Sequence, residues 1–222
     1  MRTRRRVAAT FVLVVLTHPY TTVRAIAAMK DPSASSVVKP AAKDWVFSIS
    51  IYTYLAPNEQ NYVQPTITAD RDWLHLEARY NYENLVTGSL WVGYNWSIGK
   101  ELSLSVTPML GGVIGRTTGI APGAEVTLDW WKLELYGEGE YVFDTDDSSG
   151  SFLYTWSELS LSPVDWFRVG LVIQRTQAYH TDVDLQRGVL AGLSYKRVAL
   201  RGYVLNPDED SPTTILAIGV VF

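Results

Sequence analysis

Carboxylates crowd one stretch of this chain: Glu125, Asp129, Glu134, Glu138, Glu140 and Glu158. Many of them recur two or four residues apart. Glu77 and Arg79 keep the same spacing upstream, and Arg168 and Arg201 follow downstream. In an extended chain, residues two apart share a face, so this spacing lines one surface with acids and a few bases. An acidic wall facing a basic one sets up a field that orders water and suits small polar solutes or ions, with a mild preference for cations. The competing expectation is that neighbours such as Glu158 and Arg168 neutralise each other and fill the space they line.

Hydrolytic chemistry has thinner support. Beyond residue 27 the only histidines are His75 and His180. His75 alternates with Glu77, which predicts a hydrogen-bonded interior imidazole more readily than a general base. His180-Thr-Asp182-Val-Asp184 sets carboxylates beside an imidazole, but as a metal site the spacing is weak and solvated loop polarity explains it better. Asp144, Asp146, Asp147, Asp208, Glu209 and Asp210 also read as solvated loops, although such acids can bridge divalent cations to lipopolysaccharide phosphates. Gly93 to Lys100 resembles a phosphate loop, but the spacing is one residue too long and Glu101 stands where Ser or Thr is needed. There is no GxSxG or HExxH motif and no cysteine. Disulfides, thiolate metal sites and lipoprotein anchoring are thereby excluded, and no metal or cofactor is expected.

The elements that carry these side chains must be strands. From Trp45 the sequence alternates with period two and never turns helical. Trp45, Phe47, Ile49 and Ile51 oppose Ser48, Ser50, Tyr52 and Tyr54; Leu74, Leu76, Ala78, Tyr80 and Tyr82 oppose His75, Glu77, Arg79 and Asn81. Leu102, Leu104, Val106 and Leu110 face away from Ser103, Ser105 and Thr107. About twelve strands are predicted, with ten or fourteen as neighbouring counts: 45–55, 62–69, 73–83, 88–98, 101–113, 122–130, 132–142, 151–161, 165–176, 186–195, 197–205 and 213–222. Residues 111–123 are ambiguous. Connections at one end are short (70–72, 99–100, 130–131, 162–165 and 196), and at the other longer (56–61, 84–87, 114–121, 143–150, 177–185 and 206–212). Trp73, Trp96, Trp130, Trp131 and Trp166 all lie beside the short turns, where an aromatic girdle would meet a membrane interface.

The amino terminus agrees with export. Arg2, Arg4, Arg5 and Arg6 precede the apolar run Val7 to Leu16 and the small-residue pattern Ala25-Ile-Ala27, so residues 1–27 read as a secretory signal peptide. Residues 28–44, polar and containing Pro32 and Pro40, read as a flexible periplasmic lead-in. The signal holds five of the 19 basic residues and no acid, leaving 14 against 23 acids, a formal charge of about −9. Nucleic-acid binding, which needs basic surface, is not expected.

The last strand, Thr213 to Phe222, puts Thr214, Leu216, Ile218, Val220 and Phe222 on one face. A closing strand that ends on a carboxy-terminal Phe resembles the terminal strand of bacterial outer-membrane β-barrels. That resemblance covers the chain from about Trp45 and implies that the last strand pairs with the first and that Phe222 carries the assembly signal. It implies a single transmembrane antiparallel up-and-down β-barrel, residues 45–222, integral to the bacterial outer membrane. Its expected partners are outer-membrane lipids and lipopolysaccharide, the barrel-assembly machinery, and small polar solutes or ions. On this reading the charged face looks inward, because an Arg or Lys on the lipid face near the midplane costs about 2–4 kcal/mol. The function expected first is a small diffusion channel, then a closed structural or surface-interaction barrel. An outer-membrane hydrolase, requiring His75 or His180, comes third.

Overall fold

The structure, a computed structural model, describes residues 44–57, 60–178 and 184–222. The predicted signal peptide, nearly all of the lead-in, and His180 with Asp182 lie outside the described residues. The alternating sequence forms β1 (Val46–Leu55), β2 (Tyr62–Arg71), β3 (Leu74–Tyr80), β4 (Thr87–Tyr94), β5 (Trp96–Gly99), β6 (Leu102–Gly115) and β7 (Gly119–Trp130). The second half continues with β8 (Leu133–Asp144), β9 (Phe152–Val164), β10 (Phe167–Ala178), β11 (Asp184–Tyr195), β12 (Val198–Leu205) and β13 (Thr213–Val221).

All pairings are antiparallel and join strands adjacent in the chain, except that β4 pairs with β6 past β5 and β1 pairs with β13, so the sheet closes on itself. At the seam the backbone N–H of Phe47 donates to the Phe222 carbonyl at 3.0 Å, and that of Phe222 to the Phe47 carbonyl at 2.9 Å. Closure leaves no open sheet edge, the condition a β structure must meet in lipid.

β4 and β5 are one stave in two pieces, because both pair with β6 in the same register. In that register the residue facing Tyr94 is Pro108, which has no N–H to give the ladder. The barrel therefore has twelve staves, the number the alternation predicts. The strands also run further than expected through the glycine-rich ambiguous region: β6 reaches Gly115 and β7 starts at Gly119, leaving 116–118 as the connection in place of 114–121.

Two-residue turns join strands at one end: Asp72–Trp73, Lys100–Glu101, Trp131–Lys132, Asp165–Trp166 and Lys196–Arg197. Asp72, Trp131 and Lys196 take positive φ of 55°, 53° and 53° there, as tight hairpins require. The six connections at the other end run from three to seven residues. The wall is also stepped: β6 to β11 have 12–14 residues, whereas β12, β13, β1, β2 and β3 have 7–10.

Leu76, Leu90 and Leu216 are exposed on the outer surface, and their sequence neighbours are buried inside. The alternation breaks at Asn81. Tyr82, expected outside, is fully buried within the barrel, because Asn81 adopts φ 56° and β3 has already ended at Tyr80. The interior, expected to be polar, is instead graded along its axis. Towards the loop end it holds Val113, Ala121, Val142, Phe152, Leu205 and Ile215, and charged groups take over deeper in.

Candidate functional site

β3 delivers His75, Glu77 and Arg79 to the interior at every second position. The Arg79 Nε and Nη2 donate to the two carboxylate oxygens of Glu77 at 2.9 and 3.1 Å, a bidentate fork. Its Nη1 donates at 3.0 Å to Glu140 on β8, across the barrel. Glu138 and Glu83 approach the same guanidinium at 3.7 and 3.9 Å. The Tyr82 ring, which donates its hydroxyl to Glu138, and the Trp91 ring lie 4.0 and 4.4 Å from the guanidinium carbon. Trp91 is seated by Gly111, where a Cβ would come within 2.5 Å of the indole. The missing side chain is what lets the ring lie flat on the wall.

Nearer the short turns, His75 sits between Asp70, 2.8 Å from Nδ1, and Glu77, 3.3 Å from Nε2. Asn95 donates to Asp70 at 2.9 Å and accepts from Thr107 at 2.9 Å, extending the chain of polar contacts. Both imidazole nitrogens face carboxylates, an arrangement unlike the nucleophile–base pairing of a hydrolase. Elsewhere Arg168 forks onto Glu134 at 2.7 and 3.2 Å. Arg201 lies 3.8 Å from Glu158, which also accepts from Trp156 Nε1 at 2.9 Å and the Tyr203 hydroxyl at 3.0 Å. The pairing of Glu158 with Arg168 considered from sequence is thus replaced by two other pairs.

Glu125 lies directly opposite Glu138 across β7 and β8, and Asp129 opposite Glu134. Facing like charges are unfavourable unless cations or water intervene. Inward-facing acids among the described residues are Asp70, Glu77, Glu83, Glu125, Asp129, Glu134, Glu138, Glu140 and Glu158. The inward bases named from sequence are Arg79, Arg168 and Arg201. Among the described residues the interior thus holds nine carboxyl groups to three guanidinium groups and the His75 imidazole.

Sequence reasoning missed Trp91 and Glu83. The alternation Ser89, Trp91, Gly93 against Leu90, Val92, Tyr94 would have placed the first. The same period reaches the second, since Glu83 continues the inward series of His75, Glu77 and Arg79 along the predicted strand 73–83. Outside, Trp73, Trp96, Trp130, Trp131 and Trp166 are all exposed beside the two-residue turns. Phe222 stacks on Phe47 at 6.3 Å across the seam.

The fold is thus a closed antiparallel β-barrel with an apolar outer surface and charged groups within. No family model matches the chain, and no curated protein gives a significant sequence match. Among solved structures it is similar to the KdgM porin, at 10% identity over 79% of this chain and 99% of that one, with a TM-score of 0.54. It is similar in the same way to the KdgM porin in complex with disordered oligogalacturonate, at 10% identity, the same coverage and a TM-score of 0.55. The Acinetobacter baumannii outer membrane protein Omp33 matches at 12% identity over 82% of this chain and all of that one, with a TM-score of 0.48. At these identities the likeness is one of fold.

Proposed function

We propose that this chain is an exported, integral protein of the bacterial outer membrane that forms a small diffusion channel for ions or small polar solutes, with a mild preference for cations. The observation that carries the reading is the excess of nine inward carboxyl groups, among the described residues, over three guanidinium groups and one imidazole. An acidic passage walled by low-dielectric material concentrates cations. Hydration supports it too: both amide atoms of Gln64, the Tyr154 hydroxyl and the Ser160 hydroxyl are buried with no hydrogen-bond partner among the described residues. Water is the partner such groups take. One structural neighbour is described with bound oligogalacturonate. An anionic sugar chain would be repelled by this interior, so that ligand class is not carried over.

The packing favours a second reading, a closed barrel. Side chains meet across the interior, as Arg79 does with Glu140 and Tyr203 with Glu158, and most are buried. Single-channel conductance of residues 28–222 in a planar bilayer separates the two. Steady steps that scale with salt support the channel; an inserted but silent barrel supports the closed form. In a conducting barrel, Glu134→Gln with Glu138→Gln is expected to lower cation selectivity, read from the reversal potential in a salt gradient. An unchanged potential would remove these residues from the path.

The membrane assignment has its own test. Leu216, midway along β13 and exposed on the outer surface, faces lipid on this reading. Leu216→Arg is then expected to cost about 2–4 kcal/mol in bilayer unfolding measurements. A change within about 0.5 kcal/mol, typical of water-exposed surface sites, would count against a lipid-facing wall.

A further inference from the structure

The surroundings of Arg79 are more than one arginine requires. Its guanidinium lies 4.0 Å from the Tyr82 ring and 4.4 Å from that of Trp91, with Glu77, Glu83, Glu138 and Glu140 around it. Aromatic faces combined with carboxylates make a cation cage. Of the eight oxygens on these four carboxylates, six are served by Arg79 together with His75, Tyr82, Tyr136, Ser89 and Trp91. The others, Glu83 Oε2 and Glu140 Oε1, are buried with no partner among the described residues. The Tyr154 hydroxyl, on the residue paired with Glu140 in the neighbouring strand, is likewise buried and unpartnered.

We propose that this cage has the chemistry of a site for small organic cations, guanidinium or primary ammonium compounds, and that Arg79 occupies it as a tethered plug, so that free cations enter only when that side chain is withdrawn or removed. The aromatic walls distinguish this from a metal site. Hard inorganic cations take shells of oxygen ligands, and no group of three acidic or histidine side chains among the described residues is arranged to hold a metal ion. A delocalised or alkylated cation suits both the ring faces and the carboxylate edges. Passage of such solutes through the barrel rests on the channel reading; their binding does not.

The test uses Arg79→Ala in the refolded barrel, with methylguanidinium as the probe and neutral methylurea as its control, both at millimolar concentration. Methylguanidinium is expected to raise the melting temperature of the variant, leaving the wild type unmoved because its own side chain fills the cage. In a planar bilayer the variant is expected to conduct severalfold more than the wild type in potassium chloride, with methylguanidinium reducing that current. Equal effects of the two probes on the variant's melting temperature would overturn the proposal, whatever the conductance. Thermal stabilisation by the cation in a barrel that never conducts would sustain the site and sink the channel. Should Arg79→Ala not fold alone, refolding with each probe decides the matter: recovery with methylguanidinium only supports the cage, and recovery with neither, or with both alike, overturns it.

Discussion

Arg79→Met is expected to destabilise the folded barrel by about 3–5 kcal/mol, the usual effect of removing one partner from a buried ionic network. The methionine fills similar space, so the loss comes chiefly from charge. Glu77 forfeits a bidentate partner and Glu140 the donor 3.0 Å away, while Glu138 and Glu83 remain nearby in a medium that solvates them poorly. The measurement is the urea midpoint of the refolded protein in detergent micelles or bilayers. A second substitution, Glu77→Gln, should recover part of the loss, because it removes one of the carboxylates stranded by the first. A midpoint unmoved by the single change would mean that water screens these groups as well as the arginine does.

Trp156→Ala is expected to cost a similar amount, about 3–5 kcal/mol, for a different reason. Trp156 is fully buried. Its Nε1 donates to Glu158 at 2.9 Å, and its ring meets Tyr203 edge to face at 5.5 Å. The substitution removes packing contacts from a confined interior and leaves Glu158 with one donor fewer. Urea unfolding reads the stability; conductance reads whether the vacated volume joins a water-filled path. A stability change below about 1 kcal/mol would show that the interior collapses readily around the gap.

Much of the barrel was legible because its two faces meet opposite environments. Where apolar and charged residues alternate without interruption, as in His75 to Arg79 or Glu134 to Glu140, strand and facing follow directly from a period of two. Legibility failed where the backbone broke that period. Asn81 turns left-handed, so Tyr82 swings inward as well as Glu83. Pro108 splits one stave without shifting its register, a break alternation cannot reveal. The glycines around 111–123 carry little facing information, which is why the short connection at 116–118 was read too long.

Partners across the interior were harder still. Glu158 stands opposite Val172 on β10, while the register irregularity between Phe167 and Val169 repositions the strand beside Arg168. Arg168 therefore finds Glu134. Such pairings depend on the stagger of the whole barrel and on which walls approach each other. Neither is encoded within one strand. The sequence pattern also leaves axial depth implicit, so the apolar collar at the loop end emerged only from the assembled wall.

In the outer-membrane setting proposed above, the stepped wall has a consequence for the surrounding bilayer. With a rise of about 3.3 Å per residue and a tilt near 45°, an eight-residue strand covers about 19 Å of the membrane normal and a thirteen-residue strand about 30 Å. The short sector is centred on the seam between β13 and β1, and the tall sector lies on the far side. Lipid tails beside the seam must compress, or the barrel must lean, at a cost of fractions of a kcal/mol for each ångström of mismatch. Two such barrels meeting short side to short side would share a single thinned patch of membrane, giving the molecule a front and a back in a fluid that has neither.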